Sequence, residues 1–386
     1  MPLSPVNILA GIFQDIWGVF LLTWWIIVPI VLVFVCAEFW MTYIIRLHIG
    51  NIKWVILRIK TPKEVLKTPK AMEQIFAAMH ASYTFGVRPV DKYWRGRVED
   101  WHSFELVGDS QSVYFYIRVA EGFRNLLESS IYSQYPNAEI EVVDDYTQSL
   151  PAVLPNNTFD LFGTEFILAR DDGYPLRTYP YFEAITEEEK IDTISTITEV
   201  MSRLGSGERI WLQLLIRPTG DEWNKKAEEM RDELAGRSKE KKPKLTKGEQ
   251  NVIGAIENKM SKIGFEGIIR FIYIDEQENF SRNNIAAVMG AFRQFNDMSL
   301  NSLKPNLDTM TITTGLFKSI FKKQRVYRRK RLIYENYRRR RFPNKFSIFN
   351  TEELATLYHF PSMGVESPML RPVEFKKGAP PTNLPT

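Results

Sequence analysis

The chain has 386 residues, 25% of them charged, and its formal net charge is +4 at pH 7. This length leaves room for two domains of ordinary size beside a membrane anchor. The single cysteine, Cys36, excludes a disulfide framework, and because it lies inside an apolar run it leaves the rest of the chain without thiol chemistry.

The N-terminal part contains an uncharged run from Ile16 to Ala37. At about 1.5 Å per residue this run extends about 33 Å, enough to cross a hydrocarbon core of about 30 Å. It is too long for a signal peptide, and no basic residue precedes it. The sequence therefore predicts a transmembrane anchor at 16–45 after a short extracytoplasmic segment at 1–15. The residues singled out within the anchor are Ile16, Trp24, Trp25, Pro29 and Ala37.

The charges that flank this run predict its orientation. Asp15 is the only charged residue before the run, whereas the residues that follow include Arg46, Lys53, Arg58 and Lys60 with Glu38 as the lone acid. Because positive charges favour the cytoplasmic side, we expect a single-pass protein of the cytoplasmic membrane with its C-terminal body in the cytoplasm.

The region 50–150 has the pattern of a first α/β module. Strands are expected at Ile52–Ile59, Phe104–Val107, Val113–Val119 and Glu139–Val143, and helices at Pro69–Tyr83 and Gly122–Tyr135. The order β-α-β-β-α-β is that of the ferredoxin-like, or split βαβ, arrangement.

The region 158–315 resembles an enlarged copy of the first module. Its expected strands are Leu161–Ala169, Arg209–Arg217, Ile268–Ile274 and Thr309–Thr313, and its expected helices are Ile191–Leu204 and Ser281–Phe295. An insertion at 221–262 is predicted to be a helical hairpin with a basic tip. The predicted fold class is thus α+β, with a transmembrane helix, two ferredoxin-like modules and a basic C-terminal arm.

The arm at 316–345 concentrates positive charge. Lys318 to Lys345 contains 13 Lys or Arg residues and one acid, Glu335, with tyrosines interleaved. Three interpretations stay open: a solvated bridging helix, a patch held against anionic lipid, and a contact with the phosphates of DNA or RNA. The residues expected to contact nucleic acid or lipid are Arg328, Arg329, Lys330, Arg331, Arg338, Arg339, Arg340 and Arg341.

The sequence contains no recognisable catalytic constellation. It lacks a phosphate-binding loop and a nucleophile elbow, and its four histidines have no metal-ligand spacing. We therefore expect no enzyme activity, no cofactor and no metal.

Several segments resemble a bacterial family of membrane proteins linked to type IV secretion and conjugative DNA transfer. They are Lys67–Ala81, Ser103–Val119, Ser129–Tyr146, Pro175–Glu183, Thr196–Pro218 and Phe349–Pro361. In longer members of that family such a region precedes a motor ATPase. Because this sequence has the lead-in but no nucleotide-binding core, the resemblance implies either a motor ATPase supplied in trans by a separate chain or a motor that belongs to a longer form of this chain.

The function expected from this resemblance is that of a non-catalytic adaptor, which docks the motor at the cytoplasmic face of the membrane and is itself a homo-oligomer. The region 346–386 is the expected docking segment, followed by the Pro-rich tail Gly378–Thr386. The residues expected to dock the partner are Glu352, Glu353, Leu354, Leu357, Tyr358, Phe360 and Pro361. The alternative is a membrane-tethered module that binds nucleic acid through the arm, or through Tyr114 and Tyr116 on a strand face.

Overall fold

The computed structural model of the protein describes residues 5–61, 67–110, 112–182, 192–236, 245–312 and 321–361. The chain divides into two compact units. The first holds the described residues up to Lys53 together with Gly86–Val98, and the second holds Trp54–Phe85 and the described residues from Glu99 onward.

The α-helices of the described residues are α1 (Pro5–Asn51), α2 (Lys70–Met79), α3 (Pro89–Arg95), α4 (Arg124–Gln134), α5 (Ser195–Ser202), α6 (Glu222–Gly236), α7 (Lys247–Met260), α8 (Arg282–Ala291), α9 (Lys322–Arg338) and α10 (Thr351–Leu357). The strands are β1 (Trp54–Lys60), β2 (His102–Asp109), β3 (Val113–Ala120), β4 (Glu139–Val143), β5 (Phe159–Leu168), β6 (Arg209–Pro218), β7 (Gly264–Glu276), β8 (Leu303–Pro305) and β9 (Ser347–Asn350).

The first unit consists of α1 and α3. Helix α1 has 47 residues, and its stretch Phe20–Asn51 is long and apolar enough to span a membrane, with its most apolar window unburied. The predicted anchor residues Ile16, Trp24, Trp25, Pro29 and Ala37 all lie in this helix. Of the extracytoplasmic segment predicted at 1–15, residues 5–15 belong to the same helix, and residues 1–4 lie outside the described residues.

The second unit is built on one sheet with the strand order β4-β1-β3-β2-β6-β7-β5-β8, and β9 pairs with β7. All of these pairs are antiparallel. The prediction of a mixed α+β body that follows one apolar helix is therefore confirmed.

The same sequence of elements occurs twice in this sheet. Strands β1 to β4 lie in the order β4-β1-β3-β2, with α2 between β1 and β2 and α4 between β3 and β4. Strands β5 to β8 lie in the order β8-β5-β7-β6, with α5 and α8 in the corresponding places. Because β2 pairs with β6, the two halves form one continuous sheet.

Both faces of the sheet are covered. On one face α2, α4, α5, α8 and α10 pack their apolar sides into a core that includes Phe76, Phe104 and Phe271. On the other face a second cluster joins the sheet residue Trp211 to Tyr334 and Tyr337 of α9. Residues 322–338 of the arm thus form a helix of the second unit, packed on a sheet face.

The sequence predicts the last strand at Thr309–Thr313, but the structure places it at Leu303–Pro305. Thr311 nevertheless bonds to β5, the strand with which β8 pairs. Its amide donates to the carbonyl of Gly163 at 3.0 Å, and its hydroxyl accepts from the amide of Gly163 at 3.1 Å. A threonine-rich pattern is typical of a strand, but here the hydroxyls of Thr309 and Thr311 accept hydrogen bonds from the backbone of β5, and these residues form no regular strand. Thr313 lies outside the described residues.

The insertion contains two helices, α6 and α7. Helix α7 begins with a capping box, in which Thr246 accepts from the amide of Glu249 at 3.2 Å and Glu249 accepts from the amide of Thr246 at 2.8 Å. Residues 237–244 of the predicted basic tip lie outside the described residues.

Candidate nucleic-acid interface

The apolar side of α9 packs on the second face of the sheet. Tyr337 and Tyr334 lie with their rings roughly parallel to that of Trp211, at centroid distances of 5.4 and 6.4 Å. Ile333 covers Gly163 of β5 so closely that a Cβ added there would lie 2.9 Å from a methyl carbon of Ile333. A glycine at this position therefore permits the close approach of the helix.

Arg340, just beyond the end of α9, fixes the helix to the sheet. The residue is only 1% exposed. Its Nε donates to Glu105 of β2 at 2.8 Å, and its Nη2 donates to Glu105 and to Asp145 at 3.0 Å each. Its own carbonyl accepts from the Trp101 indole at 2.8 Å. The hydrogen bonds to Glu105 and Asp145 are charge-assisted, which makes them stronger than bonds between neutral groups.

The ionisation of Glu105 depends on this arginine. Burial alone would raise the pKa of the carboxyl, but the charge and hydrogen bonds of Arg340, together with the hydrogen bonds of Ser103 and Tyr146, outweigh burial and hold the pKa below its usual value. The pKa of Asp145 is lowered in the same way, by Arg340 against burial. Tyr146 donates to Glu105 at 2.7 Å and lies 2.9 Å from the hydroxyl of Tyr337, so the network reaches back to α9.

Glu105 is one end of a buried polar row that crosses four neighbouring strands. In the ladder Glu105 faces Gln213, Gln213 faces Arg270, and Arg270 faces Glu165. Gln213 donates to Glu105 at 3.0 Å, and Arg270 donates to Glu165 at 2.8 Å. Each member thus has a partner on the next strand.

This row also caps the C-terminal end of α9. Gln213 donates to the carbonyl of Tyr337 at 3.1 Å, and Arg270 donates to the carbonyl of Asn336 at 3.3 Å. The last carbonyls of a helix have no partner within the helix, and a positive charge near them is favourable. The sheet therefore holds α9 through its backbone as well as through its side chains.

Several cations predicted to contact a polyanion have structural partners instead. Lys330 pairs with Asp160 at 2.6 Å, Arg329 donates to the carbonyls of Met310 and Ile312 at 3.0 and 2.9 Å, and Arg338 donates to the carbonyl of Ala152 at 2.9 Å. Arg340 is buried, as described above. These residues hold the helix in place and are not all available to a ligand.

The exposed side of α9 has a different character. Within the described residues Arg328, Lys322 and Lys323 have no carboxylate partner, and Arg331 lies 5.7 Å from the ring of Tyr327 with no carboxylate partner either. Arg328 and Arg331 are three residues apart and therefore lie on one side of the helix. Lys322 and Lys323 lie in the first turn of α9, on the side of the helix that carries Ile333 and Tyr334. We therefore call Arg328 and Arg331 the basic face.

A cleft of about 490 Å³ adjoins the basic face. It is lined by Arg331, Arg338 and Arg339 on one side and by the loop of residues 145–154 on the other. Glu335 is shared by two exposed arginines, Arg339 at 3.2 Å and Arg341 at 3.6 Å, so the cations outnumber the carboxylate that they contact.

The sequence model of one protein family, described as a domain of unknown function (DUF8128), matches residues 48–371 of the chain. The chain belongs to the DUF8128 family. No curated protein matches the sequence. The DUF8128 match includes β1 to β9 and α9, so the buried row and the basic face both lie inside the family domain.

The segment predicted to dock a partner is buried in the DUF8128 domain. Glu353 is fully buried, pairs with the buried Lys259 at 2.9 Å and accepts from the amide of Leu176 at 2.8 Å. It also forms a capping box with Asn350, which starts α10. Burial raises the pKa of Glu353, and the charge of Lys259 opposes that shift.

The other predicted docking residues have similar positions. Glu352 bonds to Lys262 and Thr178, and Tyr358 and Phe360 pack on Phe115 at centroid distances of 5.9 and 5.5 Å. Leu354 is buried, Leu357 packs against the core, and Pro361 is half-buried. The acids of the segment 349–361 are thus paired with Lys259 and Lys262 and with the cap of α10. Docking of a partner by these residues stays a prediction.

The strand tyrosines are also largely covered. Tyr116 is buried and its ring stacks on that of Tyr146 at 4.8 Å, and burial raises its pKa to about 12. Tyr114 is half-buried. The alternative in which this strand face stacks on bases therefore lacks an open surface at Tyr116. Among the described residues no group of His, Cys, Asp or Glu has the arrangement of a metal site.

Sequence analysis missed the buried row, although a signal for it exists. Glu105, Gln213, Arg270 and Glu165 are each a polar residue in the middle of an apolar strand. A buried charge requires a partner, so such isolated residues predict one another.

Proposed function

We propose that this protein is a membrane-anchored, non-catalytic adaptor of a type IV secretion-like or conjugative translocation machine, and that the basic face of α9 contacts the DNA. The observation that carries the proposal is the contrast within α9. One side of the helix packs on the sheet and is fixed by the buried Arg340–Glu105 pair just beyond its end, whereas the other presents cations that have no carboxylate partner among the described residues.

The basic face suits the backbone of DNA and not the bases. Duplex DNA has about one negative charge per 1.7 Å, and cations that neutralise phosphates bind it without a sequence code. A helix whose position is already fixed loses little conformational freedom on binding, which favours affinity. The adjoining cleft provides further arginines at the same surface.

We propose that the two halves of the sheet are ferredoxin-like modules, that α1 crosses the cytoplasmic membrane once, and that the DUF8128 domain lies in the cytoplasm. The resemblance to secretion and conjugation proteins supports a motor ATPase in trans, with this chain as a homo-oligomer around it. The Pro-rich tail Gly378–Thr386, outside the described residues, is the proposed contact with the motor.

DNA binding is tested by fluorescence anisotropy with a labelled duplex at several salt concentrations, using the full chain in nanodiscs. The variant Arg328→Gln/Arg331→Gln should weaken binding and reduce the slope of log K against log salt by about 0.9 for each lost phosphate contact. The matched control Lys225→Gln/Lys247→Gln removes two exposed cations from α6 and α7. Absent binding, or an equal loss in the control, would contradict the proposal.

The adaptor role is tested by co-purification from the native host. Because residues 349–361 belong to the core, the informative deletion is 362–386, which leaves every described residue in place. The intact protein should recover a phosphate-loop ATPase and the deletion should lose it. Recovery of DNA without an ATPase would sink the adaptor role and leave a tethered DNA-binding module.

A further inference from the structure

We propose that α3 is a membrane-interface element, in which Val90, Tyr93 and Trp94 lie among lipid headgroups and Arg88, Lys92 and Arg95 bind lipid phosphates. The inference goes beyond the adaptor role and does not depend on DNA binding. It requires only that α1 lies in a bilayer.

Helix α3 is attached to α1 at a defined level. The indole of Trp40 donates to the carbonyl of Tyr93 at 2.9 Å, and the rings of Trp40 and Trp94 lie edge to face at a centroid distance of 6.2 Å. Gly96 ends α3 with φ of +64°, and a Cβ there would lie 2.3 Å from the carbonyl carbon of Ile44. Only glycine allows the two backbones to meet this closely.

This level is the end of the apolar run. The uncharged residues end at Ala37, and Trp40 follows three residues later, about 4.5 Å further along the helix. Tryptophan and tyrosine are enriched where the hydrocarbon core meets the headgroups. Because α3 is attached to residues 40–44, it lies at that boundary if α1 spans the bilayer.

The surface of α3 has the composition that this boundary favours. Val90, Tyr93 and Trp94 are 64%, 52% and 71% exposed, and Phe39 and Tyr43 of α1 are 73% and 58% exposed. Exposing large apolar side chains together to water is unfavourable, so such a patch indicates a surface that contacts a membrane or another protein. Residues 90, 93 and 94 are also spaced to share one side of a helix.

The charges of α3 favour lipid over an apolar protein partner. Arg88, Lys92 and Arg95 are exposed, and the only acid of the helix, Asp91, is buried and bonded to Arg88 at 3.1 Å and Arg95 at 3.0 Å. The helix therefore has more cations than acids. Exposed aromatics with basic neighbours are typical of elements that lie in the interface of anionic membranes.

The test measures the depth of a fluorophore in the full chain, reconstituted in nanodiscs of phosphatidylcholine and phosphatidylglycerol. Three single-cysteine proteins are labelled: native Cys36 as the deep reference, Cys36→Ser/Val90→Cys for α3, and Cys36→Ser/Met298→Cys as the aqueous reference, since Met298 is 96% exposed. Nitroxide lipids and aqueous iodide are the two quenchers.

We expect the label at position 90 to be quenched by headgroup-level nitroxides several-fold more than the label at position 298, with iodide quenching reduced. The further substitution Trp94→Ala in the position-90 protein should shift the label toward iodide. Iodide quenching equal to that at position 298 would overturn the proposal. So would protection from both quenchers, which would indicate a protein cover such as a second copy. Lipid quenching at Cys36 in either case separates a failure of α3 from a failure of the anchor.

Discussion

Arg340 is 1% exposed and places its guanidinium between two carboxylates of the second unit, the buried Glu105 and the partly exposed Asp145. Removing one partner of a buried pair leaves the other as an uncompensated charge, which costs far more than the net value of the pair. Arg339 provides the natural comparison, because its side chain is 66% exposed and pairs with Glu335 on the surface.

We expect Arg340→Met to lower the free energy of unfolding by about 3–5 kcal/mol, because Glu105 loses its charge partner. Arg339→Met should change it by less than about 0.5 kcal/mol. Urea denaturation of the full chain in detergent, followed by tryptophan fluorescence, measures both. Equal effects for the two variants would argue against a structural role for Arg340.

His102 predicts how stability depends on pH. It is fully buried, its Nε2 lies 2.9 Å from the hydroxyl of Ser82, and burial lowers its pKa from 6.5 to about 3. Because the folded pKa lies below the unfolded one, the unfolded chain binds the proton first. The contribution of His102 to the free energy of unfolding is therefore fully present above pH 6.5 and is lost progressively as the pH falls toward 3.

The expected decline is about 1.4 kcal/mol per pH unit below pH 6. Denaturation midpoints between pH 5 and 7.5 measure it. His102→Asn should flatten this part of the profile, whereas His80→Asn retains His102 and should keep it. An unchanged profile in His102→Asn would assign the dependence to other groups.

At the scale of elements, the approach of α9 to β5 depends on Gly163. Gly163→Ala should force Ile333 away and lower the free energy of unfolding by about 1–3 kcal/mol. Adding Ile333→Ala should give a non-additive effect, because the two residues touch. Gly290→Ala in α8 meets no atom within 4 Å and should be neutral or slightly stabilising. If denaturation shows that the two substitutions have additive effects on the free energy of unfolding, the contact between α9 and Gly163 would be contradicted.

Elements with a strong local pattern are predictable from sequence. The strand expected at Arg209–Arg217 is β6 (Arg209–Pro218), because an apolar run with β-branched and aromatic residues fixes a strand locally. The sequence does not predict that α10 lies in the core, because the acids of α10 are paired with Lys259 and Lys262, which are about 90 residues away in the sequence. Long-range partners of this kind leave no periodic signal.

At the scale of the whole molecule, the sequence predicts a basic arm but not its division into two sides. The carboxylate partners of the arm, Glu105, Asp145 and Asp160, lie 235, 195 and 170 residues before the cations that they bind. Composition alone cannot distinguish a paired cation from a free one. Of the eight arm residues predicted to contact nucleic acid or lipid, the basic face therefore retains two, Arg328 and Arg331.

The most direct test of the central claim is photo-crosslinking of DNA to the full chain in nanodiscs. Leu332 is 49% exposed on α9 next to Arg331, so Cys36→Ser/Leu332→Cys with a benzophenone label places the probe at the basic face. Cys36→Ser/Met298→Cys is the matched control. We predict a protein–DNA crosslink at position 332 that disappears at high salt, and none at position 298. No crosslink at position 332, or equal crosslinking at both positions, would contradict the assignment of the basic face to DNA.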